Sequence, residues 1–412
     1  MSHPASGENF SSDLPRECAH VVIGGGLFGC SIAYHLARKN KEVIVLERRN
    51  ICSGASGRNG GQVIQLEGRD RNEESIKRRL ALTGENNRML QGLSRELDVE
   101  LEYHRTGSLD IALTEGERQE LEEIVRIQKK AGDREVEFLG REETLRLCPV
   151  LTTEIKGARY RASDGTINPF LYTHGFAKNV VRLGGAVFPH TEVKKILKKK
   201  GKVQGVETSS GKKIRARKVI NATNAWSSLL VPEIDILPLR QIAAVTEPAS
   251  ALPICPVEAF LDGEAVYTNI QPGSGNLVAG GLRALAMSRQ GQYDETVYQP
   301  EVTGAARVFS CLYPGLGDLS IIRAWAGTMA LGPDFLPVIG KVPEIEGLYL
   351  SAGFYNGMAY ACIIGELVSE MVITDKVPAP LVAFGPEKYY RKNFRWPTEY
   401  NCTSLSEFFA RT

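Results

Sequence analysis

The sequence predicts an α/β protein, α+β overall: a parallel, doubly wound sheet joined to a second unit with a mostly antiparallel β-sheet. Three observations predict it. Residues 19–46 read as strand, glycine turn, helix and strand. From Pro238 to Arg283 the pattern changes to several strand-like runs with little helix. The 412 residues also exceed what one small core organises, so two or three packed units are expected.

The elements follow in order. Ala19 to Ile23 is a short apolar run, Gly24 to Gly29 a turn, and Cys30 to Lys39 carries helical periodicity. Glu42 to Leu46 gives a second buried strand around Val43, Ile44 and Val45. Arg71 to Leu97 reads as one long helix, with Ile76, Leu80, Thr83, Leu90 and Leu97 inward and its charges on a solvated face. Gly107 to Leu113 alternates like a strand, and Glu115 to Lys130 and Pro169 to Leu183 like helices. Gly205 to Ile214 reads as a hairpin across Ser209, Ser210 and Gly211, followed by the strand Lys218 to Ala222. Gln241 to Thr246, Ala265 to Ile270 and Asn276 to Gly280 supply the second sheet. Glu301 to Leu312 is helical, Ile321 to Met329 and Leu348 to Leu350 are strands, and Gly357 to Val372 is a closing helix.

Composition narrows the function. Fifty basic against 48 acidic side chains leave a formal charge of +2, which excludes nucleic-acid binding driven by bulk charge. Met1 to Glu17 is a loose polar tail rather than a signal peptide. Met358 to Ile373 carries Glu366 and Glu370 and is shorter than the ~20 residues of a membrane span. Eight scattered cysteines without a CxxC pair fit reduced thiols, so a cytoplasmic protein is expected. The 41 glycines stand above the average share, which points to tight turns or backbone approaching a ligand.

Gly24, Gly26 and Gly29 form GxGxxG between a strand and a helix, the arrangement of a Rossmann-type turn. Its open N–H groups and the helix dipole suit a pyrophosphate. Glu47 ends the second strand, where its carboxylate can take hydrogen bonds from a ribose diol and would repel a 2′-phosphate. The turn therefore reads as a site for a dinucleotide of the FAD or NAD type. Next comes Ser53-Gly54-Ala55-Ser56-Gly57-Arg58-Asn59-Gly60-Gly61-Gln62, whose N–H groups and hydroxyls suit a second phosphate and a flat ring. NAD-binding folds have no need of such a loop here, so FAD is preferred; the bland alternative is a flexible surface loop.

With those motifs, the chain resembles the D-amino-acid oxidase superfamily of flavoproteins. Its look is that of the glycine-, sarcosine- and especially gamma-glutamylputrescine-oxidase-like members. GGGLFG, GASGRNGGQ, the DGTINP turn at Asp164 to Pro169, NATNAW at Asn221 to Trp226, WAG…DFLPVIG at Trp325 to Gly340 and GLYLSAGFYNGMA at Gly347 to Ala359 fall in family order. The resemblance implies that Gly24, Gly26, Gly29 and Glu47 hold the ADP half of FAD, with Arg48 beside the ribose and Val193 bracketing the adenine. Leu27 and Phe28 at the turn, and Ala222, Thr223 and Trp226 of NATNAW, belong to the same site. Ser53, Ala55, Ser56, Arg58, Asn59, Gly60, Gly61 and Gln62 would lie along the pyrophosphate and isoalloxazine. Gly327, Asp334, Gly353, Asn356, Gly357 and Met358 would close over the flavin, the last three opening a helix.

The resemblance divides the chain into a tail (1–17), a discontinuous FAD-binding domain (18–105, 150–235 and 321–400) and a substrate-binding domain (106–149 and 236–320). Departures from the family pattern sharpen it. Gly327 stands where sarcosine-oxidase-like members carry a flavin-linking cysteine, and Arg58 where others carry a linking histidine, so FAD is expected to be non-covalent. Thr328-Met329-Ala330-Leu331-Gly332-Pro333 lacks the carboxylate-anchoring arginine; Arg240, Arg283 and Arg323 are anchor or structural residues from elsewhere. Val278 stands where a dioxygen-activating lysine is found. His35 and Cys30 read as packed helix residues.

The expected chemistry is oxidation of an amine or amino-acid-like substrate by hydride transfer to flavin N5, giving an imine that hydrolyses. Tyr267 is the first candidate to face the substrate, followed by Trp325, Tyr355 and Met329; ordinary core positions are the competing reading for the aromatics. Dioxygen or another acceptor takes the electrons. Two alternatives stay open: the flavin subunit of an opine or amino-acid dehydrogenase complex, and a catalytically silent FAD-stabilised scaffold. A homo-oligomer or a partner subunit also stays open.

Overall fold

The computed structural model describes residues 13–66, 70–249, 251–261, 263–271, 273–281 and 295–392, and the backbone of 285–286. Arg283, Cys402 and the first twelve residues of the expected tail lie outside them.

The first sheet has the strand order Val338–Lys341, Leu348–Ala352, Lys213–Asn221, Glu17–Ile23, Val43–Leu46, Ala186–Phe188. All neighbours are parallel except the first pair. Val21, Val22 and Val45 are wholly buried, as both faces of a covered parallel sheet require. Helices Leu27–Arg38, Pro169–Arg182 and Ala361–Thr374 cover one face. On the other side a three-stranded antiparallel meander, Val193–Lys199, Lys202–Thr208 and Lys213–Asn221, extends from the sheet. The separate strand expected at Lys218 to Ala222 is thus the far end of the hairpin's second arm.

The second sheet joins nine described strands and is antiparallel except where Val257–Leu261 runs beside Ser108–Ala112. Its order runs from Leu285–Ala286 through Leu237–Pro248, Asn276–Gly280, Glu264–Ile270, Val257–Leu261, Ser108–Ala112 and Gly157–Arg161 to Val136–Gly140, with Ile321–Leu331 also paired to Leu237–Pro248. Two of these strands, Gly157–Arg161 and Ile321–Leu331, were expected with the nucleotide-binding portion; they hydrogen-bond here instead. One face packs on helix Gln299–Leu312 through Leu109, Val257, Leu277, Val308 and Phe309. The opposite face looks toward the glycine turn.

The closing helix also departs from expectation. It starts at Ala361, so Asn356, Gly357 and Met358 form the turn before it. The side-chain Oδ1 of Asn86, on helix Glu73–Leu97, accepts from Cys362 N (2.9 Å) and Ile363 N (3.4 Å). Asn86 therefore satisfies first-turn donors of the helix itself, while Asn356, Gly357 and Met358 precede the helix rather than open it.

Candidate functional site

The glycine turn is built by close approach. Gly24 has φ +108°, and a Cβ there would sit 2.7 Å from the carbonyl oxygen of Ala222. A Cβ on Gly29 would run into the carbonyl oxygen of Gly24, so only glycine lets the helix start against the strand. Glu47 accepts from Gly25 N at 2.7 Å and from Arg49 N at 2.8 Å, which fixes its carboxylate at the end of the second strand. Leu27 N donates to Ser56 Oγ at 2.9 Å, joining the turn to the following loop.

That loop is clamped, which removes the flexible alternative. Asn59 Nδ2 donates to the carbonyls of Ala55 and Ser56, and its Oδ1 accepts from Gly61 N. Three contacts reach across from the second sheet. Trp325 Nε1 donates to Arg58 O at 2.9 Å, Asn269 Nδ2 donates to Gly60 O, and a Cβ on Gly60 would lie 3.0 Å from the Tyr267 ring. Arg58 returns a bond to Ala326 O at 2.7 Å, and Glu295 pairs with both Arg49 and Arg58.

A third wall comes from the C-terminal turn. Asn224 Oδ1 accepts from Gly353 N (2.9 Å) and Phe354 N (3.0 Å), and Phe354 stacks on Phe28 with centroids 3.6 Å apart. Asn356 Nδ2 donates to Ile64 O. Arg48 lies over the Trp226 ring, 4.4 Å from its centroid.

The second sheet supplies the fourth wall through strand alternation. Register places Trp325, Ala243, Gly280, Tyr267, Glu258 and Asp110 in one cross-strand row, with Gly327 opposite Gln241 and Met329 opposite Leu239 on the same face. Gly280 leaves room for the Tyr267 ring to lie over it.

Together these walls enclose a cavity of about 2010 Å³. Of the residues singled out from the sequence, it is lined by Gly24, Gly26, Leu27, Phe28, Glu47, Arg48, Ala55, Ser56, Arg58, Asn59, Gly60, Gln62, Val193, Ala222, Thr223 and Trp226. Tyr267, Gly327, Met329, Asp334, Tyr355, Asn356, Gly357 and Met358 line it as well. Gly29, Ser53, Gly61, Gly353 and Trp325 do not. All five act behind the wall. Gly29 permits the helix contact, Ser53 offers its carbonyl to Arg49 and Arg58, Gly61 and Gly353 adopt positive φ, and Trp325 is turned toward Arg58 and an apolar cluster with Val278. Val278 is buried there, away from the cavity.

Among the proposed anchors, Arg240 is 1% exposed and paired with Glu301, so it serves the fold. Arg323 is exposed, 5.9 Å from the Trp325 ring centroid. His35 is buried in the helix core, and burial lowers its pKa to about 3. Tyr389 donates to Asp334 Oδ2 at 2.9 Å, and burial first, then this bond, raises its pKa. Sequence reasoning missed Gln241, Asn224 and Phe335 as lining residues. Gln241 is 8% exposed, and its Nε2 has no hydrogen-bond partner among the described residues.

A family profile, FAD dependent oxidoreductase (DAO), matches residues 20–371. The chain belongs to this family. It is therefore an FAD-dependent oxidoreductase, and FAD is its cofactor. The glycine oxidase of Bacillus licheniformis is 28% identical over 388 residues, covering 89% of this chain and 96% of that protein. The mitochondrial sarcosine dehydrogenase of Homo sapiens is 27% identical over 431 residues, covering 97% of this chain and 45% of that protein. The solved L-proline dehydrogenase from P. horikoshii superposes with a TM-score of 0.82 at 28% identity, covering 93% of this chain and all of the other.

The cavity fits the family's cofactor. Gly24 and Gly29 keep Cβ atoms out of the turn, the Glu47 carboxylate is fixed at one end, and the clamped loop runs toward the sheet wall. Among the described residues, no helix is long and apolar enough to cross a membrane, and no cluster of ligands could hold a metal ion.

Proposed function

We infer that this FAD-dependent oxidoreductase acts on the carbon–nitrogen bond of an amine or amino-acid-like substrate placed between the clamped loop and the second sheet. One observation carries the placement: Tyr267, Met329 and Tyr355 line the same cavity as the glycine turn and the loop. When bound, FAD would supply the two-electron acceptor for a hydride leaving the carbon next to nitrogen. The chain's own task is placement. Glu47, Ser56 and Asn59 hold the cofactor end; Tyr267, Met329 and Tyr355 orient the substrate and exclude water. No His or Cys lines the cavity among the described residues, which fits a reaction needing no side-chain nucleophile. Non-covalent FAD is supported by Gly327, whose Cβ position is filled by Arg58.

A second reading, a dehydrogenase that passes electrons to a partner, is favoured by a cavity face of the second sheet without lysine among its described lining residues. The relatives named as dehydrogenases support the same reading. One experiment separates the two. FAD-loaded protein should be bleached anaerobically by a member of a panel of primary, secondary and N-alkylated amines, polyamines, D- and L-amino acids and opines. Rapid recolouring in air identifies an oxidase, and slow recolouring a dehydrogenase. A flavin that no compound bleaches would overturn the function.

A further inference from the structure

The turn Gly332-Pro333-Asp334-Phe335-Leu336, which follows the long strand Ile321–Leu331, carries two consecutive non-glycine residues in the left-handed region: Asp334 at φ +58° and Phe335 at φ +61°. A bulky side chain is a clear outlier there, and such conformations persist only where surrounding structure over-determines them. The surroundings do so here. Tyr389 holds the Asp334 carboxylate, Phe335 N donates to Gly332 O at 3.1 Å, and Pro333 fixes the entry to the turn. Glycine would occupy position 335 without strain, so the presence of phenylalanine calls for a use of the ring.

Its ring packs with Leu237, Leu239 and Leu331, and beside it stand the half-buried Met329 and Tyr355. Phe335, Met329 and Tyr355 all line the cavity, at the end of the sheet face away from Asp110 and Glu258. The strained turn thus sets Phe335 at the cavity wall, packed on the small cluster of Leu237, Leu239 and Leu331 rather than in the main core.

We propose that Phe335, with Met329 and Tyr355, forms an apolar wall that receives an apolar substituent of the amine substrate, so that Phe335 determines specificity. This rests on the carbon–nitrogen oxidation inferred above. The test uses FAD-loaded protein and two amines without hydrogen on the carbon next to nitrogen, cumylamine and tert-butylamine, which can bind but cannot be oxidised there. Binding is read from perturbation of the visible flavin spectrum. Wild type should bind cumylamine roughly tenfold more tightly than tert-butylamine, from burial of the extra ring. Phe335→Leu should keep most of that preference, whereas Phe335→Ala and Phe335→Gly should reduce it to about threefold or less. Phe335→Gly should melt at a higher temperature than Phe335→Ala, because it loses the same ring and also relieves the backbone.

An unchanged preference in both truncations, or no preference in wild type, overturns the wall while bleaching by panel amines leaves the oxidation reading standing. If neither probe perturbs the flavin and no panel amine bleaches it, both fall together.

Discussion

The glycine-turn end of the cavity and its sheet end are specified in different ways. At the turn, selectivity lies in main-chain geometry: Gly24 and Gly29 have no room for a side chain, and the Glu47 carboxylate is fixed by two backbone N–H groups. At the sheet, the backbone is an ordinary antiparallel ladder and selectivity lies in which side chain each register position presents. The first end has almost no tolerance for substitution and the second has much. One end can therefore keep a fixed cofactor while the other varies with the substrate.

Substitutions can break or sharpen that contrast. The largest effect is expected for Gly29→Ala, whose new methyl would collide with the Gly24 carbonyl; an overpacked rigid contact costs about 1–3 kcal/mol or more. Purified variant should show lost flavin absorbance and a lowered melting temperature, and full FAD occupancy would refute the close-approach account. Next comes pH. His35 is buried on the same helix with its pKa lowered to about 3 from 6.5, so the unfolded chain binds the extra proton between those values. Stability should therefore be full above pH 6.5 and fall as the pH drops toward 3. Denaturant midpoints across that range should show a shallower slope in His35→Leu. The smallest stability effect is expected at the sheet end. Gln241→Leu removes a buried amide whose Nε2 has no partner among the described residues, so stability should change by less than about 1 kcal/mol while KM for the best panel substrate shifts. A large drop in melting temperature with unchanged KM would make Gln241 structural.

The same contrast explains what the sequence disclosed. GxGxxG and Glu47 were legible because main-chain constraints leave glycines and a carboxylate at fixed spacing. Tyr267 was legible as an aromatic on a recognisable strand, and the structure brings it to the cavity. Trp325 shares the cavity-facing row, but its indole turns toward Arg58 O, and no pattern in the chain announces that choice. Gln241 and Phe335 depend on the register between Leu237–Pro248 and Ile321–Leu331 and on a left-handed turn; no glycine marks that turn within the DFLPVIG run, and the register that places Gln241 is nearly silent. The alternation of Leu237, Leu239 and Gln241 was the one hint available. The late start of the closing helix went unseen because Asn86, its cap, lies far away in the chain.

The clamp on the loop at 53–62 has a consequence for biosynthesis. Its outer partners, Tyr267, Asn269 and Trp325, are added more than two hundred residues after the loop itself. A ribosome that has released the glycine turn and the loop has therefore made only half of the grip. FAD supplied during translation should find no lasting seat until the strand bearing Trp325 and the turn at 353–358 have emerged, so truncated nascent chains ending before them should leave the tunnel colourless.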